Sequence, residues 1–285
     1  MKNNTPSEWD IIVRPKNAFF QLNLKELWAY KDLILLMVKR DISSVYKQTV
    51  LGPLWMLIQP IFTTAIYTFT FSYSANLSTG GIPPVLFYLM GQTFWVYFSD
   101  SLNKTANTFI SNSAVFGKVY FPRLVMPLSV IISQLVKLGI QGILLTLVYL
   151  YFYFSGASIH LQPTHLLLVP VLVAMFGIFA LSIGILFSSL TTKYRDFTFL
   201  LGFAVQLLMF ASCVVFSISM YSPRVQHLFM FNPIVAYLEA LKFILTGHGI
   251  FSPSYLLTDS CFVLVLLLFS VVVFNRTEKT FMDTV

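Results

Sequence analysis

Charged residues are scarce in this chain of 285 residues: they make up 10% of it, whereas 57% of its residues are hydrophobic. A soluble domain carries roughly 25% charged residues. The chain therefore cannot hide its apolar side chains in one water-surrounded core, and the bilayer must act as its solvent. Cysteine is nearly absent too, because only Cys213 and Cys261 occur, both in apolar stretches. A disulfide framework is not expected, and buried free thiols are.

Motifs for nucleotide, metal and hydrolytic sites are also missing. The pair Gly117-Lys118 lacks the first glycine of a P-loop because Asn112 stands there, so the chain is not expected to bind ATP itself. No Gly-x-Ser-x-Gly elbow of a hydrolase occurs. The four histidines lack the spacing of a metal site, and they are His160, His165, His227 and His248. We expect no catalytic residue, metal or cofactor in this chain. The alternative is an integral-membrane glycan-modifying enzyme that uses scattered loop residues.

Six apolar runs predict an all-α integral membrane protein. Each run is close to the roughly 20 residues that a spanning helix needs, and in lipid the backbone must satisfy its own hydrogen bonds. The alternating strands of an outer-membrane barrel are absent. The predicted spans are 50–72, 84–103, 127–153, 165–189, 197–219 and 256–274. The chain is thereby divided into a cytoplasmic N-terminal segment (1–49), a six-helix transmembrane domain (50–274) and a cytoplasmic tail (275–285).

The distribution of Lys and Arg predicts the orientation of these spans. Fifteen of the 18 basic residues fall in the N-terminal segment, the second and fourth connections and the tail. Arg224 and Lys242 fall on the other side, and Lys137 falls within a span. Because cytoplasmic loops are enriched in Lys and Arg, both termini are predicted to be cytoplasmic. The net charge of +7 is therefore attributed to membrane topology and not to nucleic-acid binding.

An amphipathic segment, residues 24–47, precedes the first span. We expect an interfacial helix on the cytoplasmic leaflet, with its basic residues toward lipid headgroups. Packing on a cytoplasmic partner is the alternative. The apolar residues near one helical face are Leu24, Leu27, Trp28, Leu35, Val38, Ile42 and Val45. The charged residues fall largely on another face and are Lys25, Asp32, Lys39, Arg40 and Lys47.

The outward segment 220–255 precedes the last span and is too polar to cross the membrane by itself. Asn232-Pro233 breaks a helix, and the amphipathic helix that follows carries Glu239 and Lys242 three residues apart. We expect a re-entrant or interfacial hairpin on the periplasmic side. Such backbone must be covered by protein or water, so the hairpin caps a path or packs on the helices.

The cytoplasmic connection 104–126 mixes Asn and Ser with aromatic and basic residues and contains Pro122 near its end. Aromatic residues and Arg are favoured at protein interfaces. A short helix that contacts a partner is the preferred interpretation, and an ordinary loop is the alternative. The candidate contact residues are Asn112, Phe116, Lys118, Tyr120 and Arg123.

Two predicted spans carry stripes of polar and aromatic residues. Aromatic rings can stack on sugars while hydroxyl and amide groups meet sugar hydroxyls, so these stripes are candidates for lining a channel. Helix–helix packing explains them equally well, because small and hydroxyl residues also favour it. The first stripe is Pro60, Thr64, Tyr67 and Phe71. The second stripe is Phe199, Phe203, Gln206, Phe210, Cys213 and Ser217.

Lys137 is the one basic residue near the middle of a predicted span, and Gln134 and Gln141 share its helical face. Ionisable groups in the bilayer are costly and mark interior or functional faces. We therefore include Lys137 among the candidate channel residues, with Asp100 or Glu239 as possible partners. Snorkelling to the interface is the alternative.

Several segments resemble, in chain order, the ABC-2 type permeases, and specifically the Wzm-like membrane subunits of polysaccharide exporters. The run Tyr-Lys-Gln-Thr-Val-Leu-Gly-Pro-Leu-Trp at residues 46–55 is the most specific of them. The other matching segments are residues 24–33, 39–41, 59–60, 119–123, 194–196 and 231–233. The resemblance covers nearly the whole chain.

The resemblance implies a homodimer in the bacterial inner membrane with two copies of a separate ABC ATPase, which would bind ATP and Mg. The cargo would be a polysaccharide linked to undecaprenyl diphosphate, O-antigen-like or capsule-like, that passes through a channel at the dimer interface. Residues 104–126 would hold the coupling helix that meets the ATPase. The candidate entrance for the diphosphate headgroup is formed by Lys25, Lys31, Lys39 and Arg40. A permease for teichoic acid or a lipophilic drug is the alternative.

Overall fold

The computed structural model describes residues 24–47, 51–112, 121–191, 194 and 196–280. Over these residues the chain is helical, and no strand occurs among them. The helices are α1 (Leu24–Ala29), α2 (Lys31–Tyr46), α3 (Trp55–Tyr67), α4 (Pro84–Ala106), α5 (Thr108–Ser111), α6 (Val125–Phe154), α7 (Leu168–Thr191), α8 (Asp196–Ala211), α9 (Pro223–Met230), α10 (Pro233–Thr246) and α11 (Pro253–Thr280). Helix α3 continues as a π-helix over Thr68–Ser74. The prediction of an all-helical chain is confirmed for this part of it.

Among the described residues, three helices are both long and apolar enough to cross a membrane: Val125–Phe154, Leu168–Thr191 and Pro253–Arg276. They coincide with the predicted third, fourth and sixth spans. Helices α9 and α10 would add a fourth span if the two together crossed the membrane, but the chain bends by 108° between them. Helices α3 and α4 occupy the predicted first and second spans. That the chain crosses the membrane six times stays a prediction.

Proline and asparagine mark where several helices begin. Pro84, Pro223, Pro233 and Pro253 each stand at the start of a helix, where the missing N–H costs nothing and the fixed φ suits the first turn. Helix α10 is also capped, because the Asn232 Oδ1 atom accepts a hydrogen bond from the Ile234 N–H at 3.1 Å.

Helix α4 lies at the centre of the core, between α6 and α7. Its rings stack on those of α7, with centroids 6.2 Å apart for Phe94 and Phe176 and 5.5 Å apart for Phe98 and Phe179. Gly184 of α7 lets the two helices approach closely, because a Cβ at this position would lie 2.6 Å from the Thr105 Cβ. Small residues at such crossings are typical of membrane helix packing.

Helix α8 is shorter than the predicted span 197–219, because it ends at Ala211. The irregular turn that follows, residues 212–217, is mostly buried, and Cys213 has a positive φ of 52°. Asn232 supports the break: its Nδ2 atom donates to the Ala211 carbonyl at 3.4 Å and to Ser212 Oγ at 3.2 Å. A side chain from a distant segment thus satisfies the helix end, which helical periodicity alone cannot reveal.

The last helix and the cysteines differ from expectation in smaller ways. Helix α11 continues through Thr280, so the predicted tail from residue 275 begins as part of that helix. Cys213 is a buried free thiol, as expected, whereas the free Cys261 lies exposed on α11. The expectation of a buried thiol is therefore wrong for Cys261.

Candidate functional site

Helices α1 and α2 lie against the start of α6. Leu27 and Met37 are buried there in a cluster with Phe121, Val125 and Met126. The apolar face predicted for this segment is thereby divided. Leu27 and Val38 are buried, whereas Trp28 is 73% exposed and Leu35 is also exposed. One apolar side of the α1–α2 segment packs against α6, and the other side is available to a lipid surface.

The basic residues of α2 have different surroundings. Lys31 and Lys39 are exposed, and the Lys31 Nζ atom lies 5.7 Å from the centroid of the Trp28 ring. The side chain of Lys25 lies outside the described residues. The Arg40 Nη2 atom donates to Asp41 Oδ1 at 2.9 Å and to Asn112 Oδ1 at 3.1 Å. The structure thus joins one residue of the predicted entrance set to one of the predicted coupling set.

Of the predicted coupling residues, Phe116, Lys118 and Tyr120 lie outside the described residues. Asn112 follows α5, and its Nδ2 atom donates to the Thr108 carbonyl at 2.9 Å. Arg123 is half-buried just before α6. Asn112 is therefore held in place on both sides, by α5 and by Arg40.

A polar cleft of about 580 Å³ lies between α2 and the ends of α4, α5 and α6. Its walls include Arg40, Asp41, Asn103, Lys104, Asn107, Ser111 and Asn112. A smaller pocket of about 150 Å³ contains Lys137, Gln134 and Trp55 and shares Asp41 and Lys104 with the cleft. Sequence reasoning missed Asn103, Asn107 and Ser111, although their spacing of four places them on one face.

Lys137 has an acidic partner across the helix interface. Its Nζ atom lies 2.7 Å from Asp100 Oδ2 of α4, so Asp100 and not Glu239 is the partner. Glu239 pairs instead with Lys242, at 2.9 Å. On the same face of α6, the Gln141 Nε2 atom donates to the Met56 carbonyl at 3.4 Å. The Gln134 Oε1 atom is buried, with no hydrogen-bond partner among the described residues.

The stripe on α3 faces the interior of the subunit. Thr64 is buried, and the half-buried Tyr67 ring meets Phe71 and Tyr88 edge to face, with centroids 5.5 and 6.3 Å apart. The Tyr67 hydroxyl lies 3.7 Å from the Met209 sulfur of α8. In one subunit, this stripe packs helices together.

The stripe on α8 faces outward. Phe199, Phe203, Gln206 and Phe210 are all exposed on one side of the helix, while Leu201 and Val205 are buried on the other. The two predicted stripes therefore do not share a surface within one chain. The exposed stripe, called the α8 aromatic face below, is available to lipid, a ligand or a second copy of the chain. Among the described residues, no group of three or more His, Cys, Asp or Glu side chains could hold a metal ion.

Comparisons with known proteins agree on one family of transporters. The sequence model of the family described as ABC-2 type transporter matches residues 32–246. An O-antigen export system permease protein, RfbA, of Myxococcus xanthus is 24% identical over 265 residues, which is 92% of this chain and 98% of that protein. An RfbA permease of Klebsiella pneumoniae is 22% identical over 88% of this chain and 94% of its own length. Another RfbA permease of Klebsiella pneumoniae is 24% identical over 72% of this chain and 76% of its own length.

Proposed function

The chain belongs to the ABC-2 type transporter family, and on that premise we propose that it is the membrane subunit of an exporter of lipid-linked polysaccharide. The proposed cargo is an O-antigen-like or capsule-like glycan on undecaprenyl diphosphate. One observation carries the choice of cargo: relatives named for O-antigen export align with nearly the full length of the chain. A permease for teichoic acid or another lipophilic cargo is the alternative.

The proposed topology has six crossings in the bacterial inner membrane, with both termini in the cytoplasm. The crossings would be α3 with its π-helical end, α4, α6, α7, α8 with the irregular turn, and α11. Helices α9 and α10 would form the re-entrant periplasmic hairpin, and their sharp bend favours this assignment. The excess of Lys and Arg in the N-terminal segment, the second and fourth connections and the tail supports the orientation.

The glycan path is proposed to form between two copies of the chain. The α8 aromatic face supports this, because its rings and Gln206 are exposed on the surface of the single chain. Aromatic faces can bind successive sugars by stacking, and the amide can meet sugar hydroxyls. In a homodimer two such faces could line one channel. Lys137, Thr64, Tyr67 and Phe71 would support that channel from within each subunit.

The energy is proposed to come from two copies of a cytoplasmic ABC ATPase that bind ATP and Mg. Helix α2 and the segment around α5 would receive its movement, and the Arg40–Asn112 contact supports a joint response of these elements. The exposure of Lys31 and Lys39 supports attraction of a diphosphate headgroup at the leaflet surface. The sugars would follow the headgroup toward the α8 aromatic face.

Depletion of the protein in its host tests the proposal. We expect undecaprenyl-linked polysaccharide to accumulate on the cytoplasmic side while polysaccharide at the cell surface falls. Re-expression from a plasmid should reverse both changes and controls for indirect effects on synthesis. Normal surface polysaccharide without accumulation would contradict polysaccharide export and leave another ABC-2 cargo.

A further inference from the structure

A buried ion pair in α10 lies where four segments of the chain meet. The Lys242 Nζ atom is 2.9 Å from Glu239 Oε1, and the Lys242 and Glu239 side chains are 1% and 2% exposed. Desolvating two charges is costly, and ionisable groups within a membrane domain mark a functional feature by default. The contacts around the pair indicate which feature this is.

Both members of the pair reach beyond their own helix. The Lys242 Nζ atom lies 4.3 Å from the centroid of the Phe87 ring, in the first turn of α4. It also lies 3.5 Å from the Cys213 carbonyl oxygen. The Glu239 Oε2 atom accepts a hydrogen bond from the Ile250 N–H at 3.3 Å. The carboxylate therefore uses one oxygen to orient Lys242 and the other to hold the segment before α11.

The Cys213 carbonyl belongs to the irregular turn at residues 212–217, directly after α8. Cys213 is fully buried, and its positive φ of 52° is uncommon for a residue with a side chain. Such a conformation persists where the surroundings fix it. A cation is favourable at the carboxyl end of a helix. At 3.5 Å the contact is a long charge–dipole interaction and not a short hydrogen bond.

Close backbone contacts confine the same region. A Cβ on Gly91 of α4 would lie 2.9 Å from the Val214 carbonyl oxygen. A Cβ on Gly249 would lie 2.9 Å from the Glu239 carbonyl oxygen. The absence of a side chain at both positions permits these approaches. The turn thus lies close against α4, the segment before α11 lies close against α10, and Lys242 of α10 adds a charged contact to the turn.

We infer that Lys242, oriented by Glu239, is a positioning residue that holds the irregular turn and so fixes how the α8 aromatic face is presented. The connection to a glycan path rests on the proposed function. The hold on the turn does not, because it depends only on the contacts of Lys242, Glu239 and Cys213.

Native Cys213 can report on the turn, because its thiol is free and buried. The test uses the full chain in membranes, with Cys261→Ser removing the exposed thiol. One double variant, Glu239→Gln/Lys242→Met, removes both charges and the ammonium group that faces the Cys213 carbonyl, and it keeps an acceptor for the Ile250 N–H. A matched variant, Lys242→Arg, keeps a positive charge and a donor long enough to reach that carbonyl. N-ethylmaleimide should label Cys213 at least about fivefold faster in Glu239→Gln/Lys242→Met than in Lys242→Arg, because the turn opens more often.

Equal labelling rates in these two variants, whether fast or slow relative to the Cys261→Ser parent, would overturn the inference. A fast rate in both would assign the pair to general stability, and a slow rate in both would show that the turn holds itself. If Glu239→Gln/Lys242→Met does not accumulate, Lys242→Met alone serves instead, because Glu239 then keeps its contact with the Ile250 N–H. The same contrast with Lys242→Arg is expected.

Export by the same strains separates this inference from the proposed function. Fast labelling of Cys213 together with loss of surface polysaccharide supports the positioning role. Fast labelling with unchanged surface polysaccharide would overturn the link to the path. If depletion of the parent protein itself leaves surface polysaccharide unchanged while the labelling contrast holds, the proposed function fails and the hold on the turn stands.

Discussion

Lys137 of α6 and Asp100 of α4 form an ion pair across a helix interface, with 2.7 Å between Nζ and Oδ2, in a chain that is 57% hydrophobic. The pair bridges two helices that pack along much of their length. Its side chains are partly exposed, to the extent of 18% for Lys137 and 34% for Asp100. It adjoins the small pocket beside the polar cleft, and so it lies between the packed core and the end of the helices that carries this cleft.

Removing either partner of this pair should lower the free energy of unfolding. Removing both should lower it by less than the sum of the two single losses. We expect a coupling free energy of about 0.5–1 kcal/mol between Asp100→Asn and Lys137→Met, because the partly exposed pair is screened by water. Thermal unfolding in detergent of the two single variants and the double variant measures it. Strictly additive losses would show that the pair contributes nothing as a pair.

The α8 aromatic face should matter for export and little for stability. Phe203→Ala is expected to lower surface polysaccharide several-fold without changing the amount of dimer, since Phe203 is 60% exposed and its loss leaves no internal cavity. Phe269→Ala on α11 is the matched control, because Phe269 is 58% exposed and lies outside the proposed path. Equal export by the two variants would remove Phe203 from the path.

Tyr67→Ala should behave differently from Phe203→Ala. The Tyr67 ring packs on Phe71 and Tyr88, so its removal leaves a cavity and should cost about 2–4 kcal/mol of stability. The expected result is a lower unfolding temperature and less assembled protein, in addition to reduced export. Tyr67→Phe, which keeps the ring, should restore most of the stability. A stable Tyr67→Ala protein would contradict the packing role.

Arg40 should be more important than its neighbour Lys39, although each carries one positive charge on α2. Both side chains are exposed, but Arg40→Gln removes the contact with Asn112, and Lys39 makes no such contact within the described part of the chain. We expect Arg40→Gln to lower the ATPase activity of the protein purified together with its proposed ATPase partner, and Lys39→Gln to change it less. The reverse order would favour attraction of the headgroup by surface charge over a mechanical link.

Gly184 should not tolerate even one added methyl group. Gly184→Ala places a Cβ 2.6 Å from Thr105 Cβ in a buried helix crossing, and overpacking of this kind costs about 1–3 kcal/mol. Gly142→Ala on α6 is the control, because a Cβ there meets nothing within 4 Å. Unfolding temperatures of the two variants should therefore differ clearly, with Gly184→Ala the lower. Similar values would mean that α4 and α7 separate at no cost.

The sequence alone predicted the helices that are marked by prolines and long apolar runs. It missed the features that depend on contacts between distant segments. Prolines and apolar runs located α4, α6, α7 and α11 to within a few residues. The end of α8 at Ala211 was missed, because the residues that follow include no proline or glycine and the break depends on Asn232 and Lys242. The sequence left two acidic residues as possible partners of Lys137, and only the helix packing shows that Asp100 is the partner. The exposed side of α8 and the inward side of α3 could not be distinguished, because lipid and protein favour the same apolar residues.

Helix α6 has 30 residues, and at about 1.5 Å per residue it is roughly 45 Å long. The hydrocarbon layer of a bilayer is only about 30 Å thick, so α6 must tilt or extend past one surface. Its first turns carry α1 and α2 through Leu27 and Met37. A change in bilayer thickness would therefore alter the tilt of α6 and, with it, the position of α2. Lipids with shorter or longer acyl chains would thus move α2 without binding to any particular site.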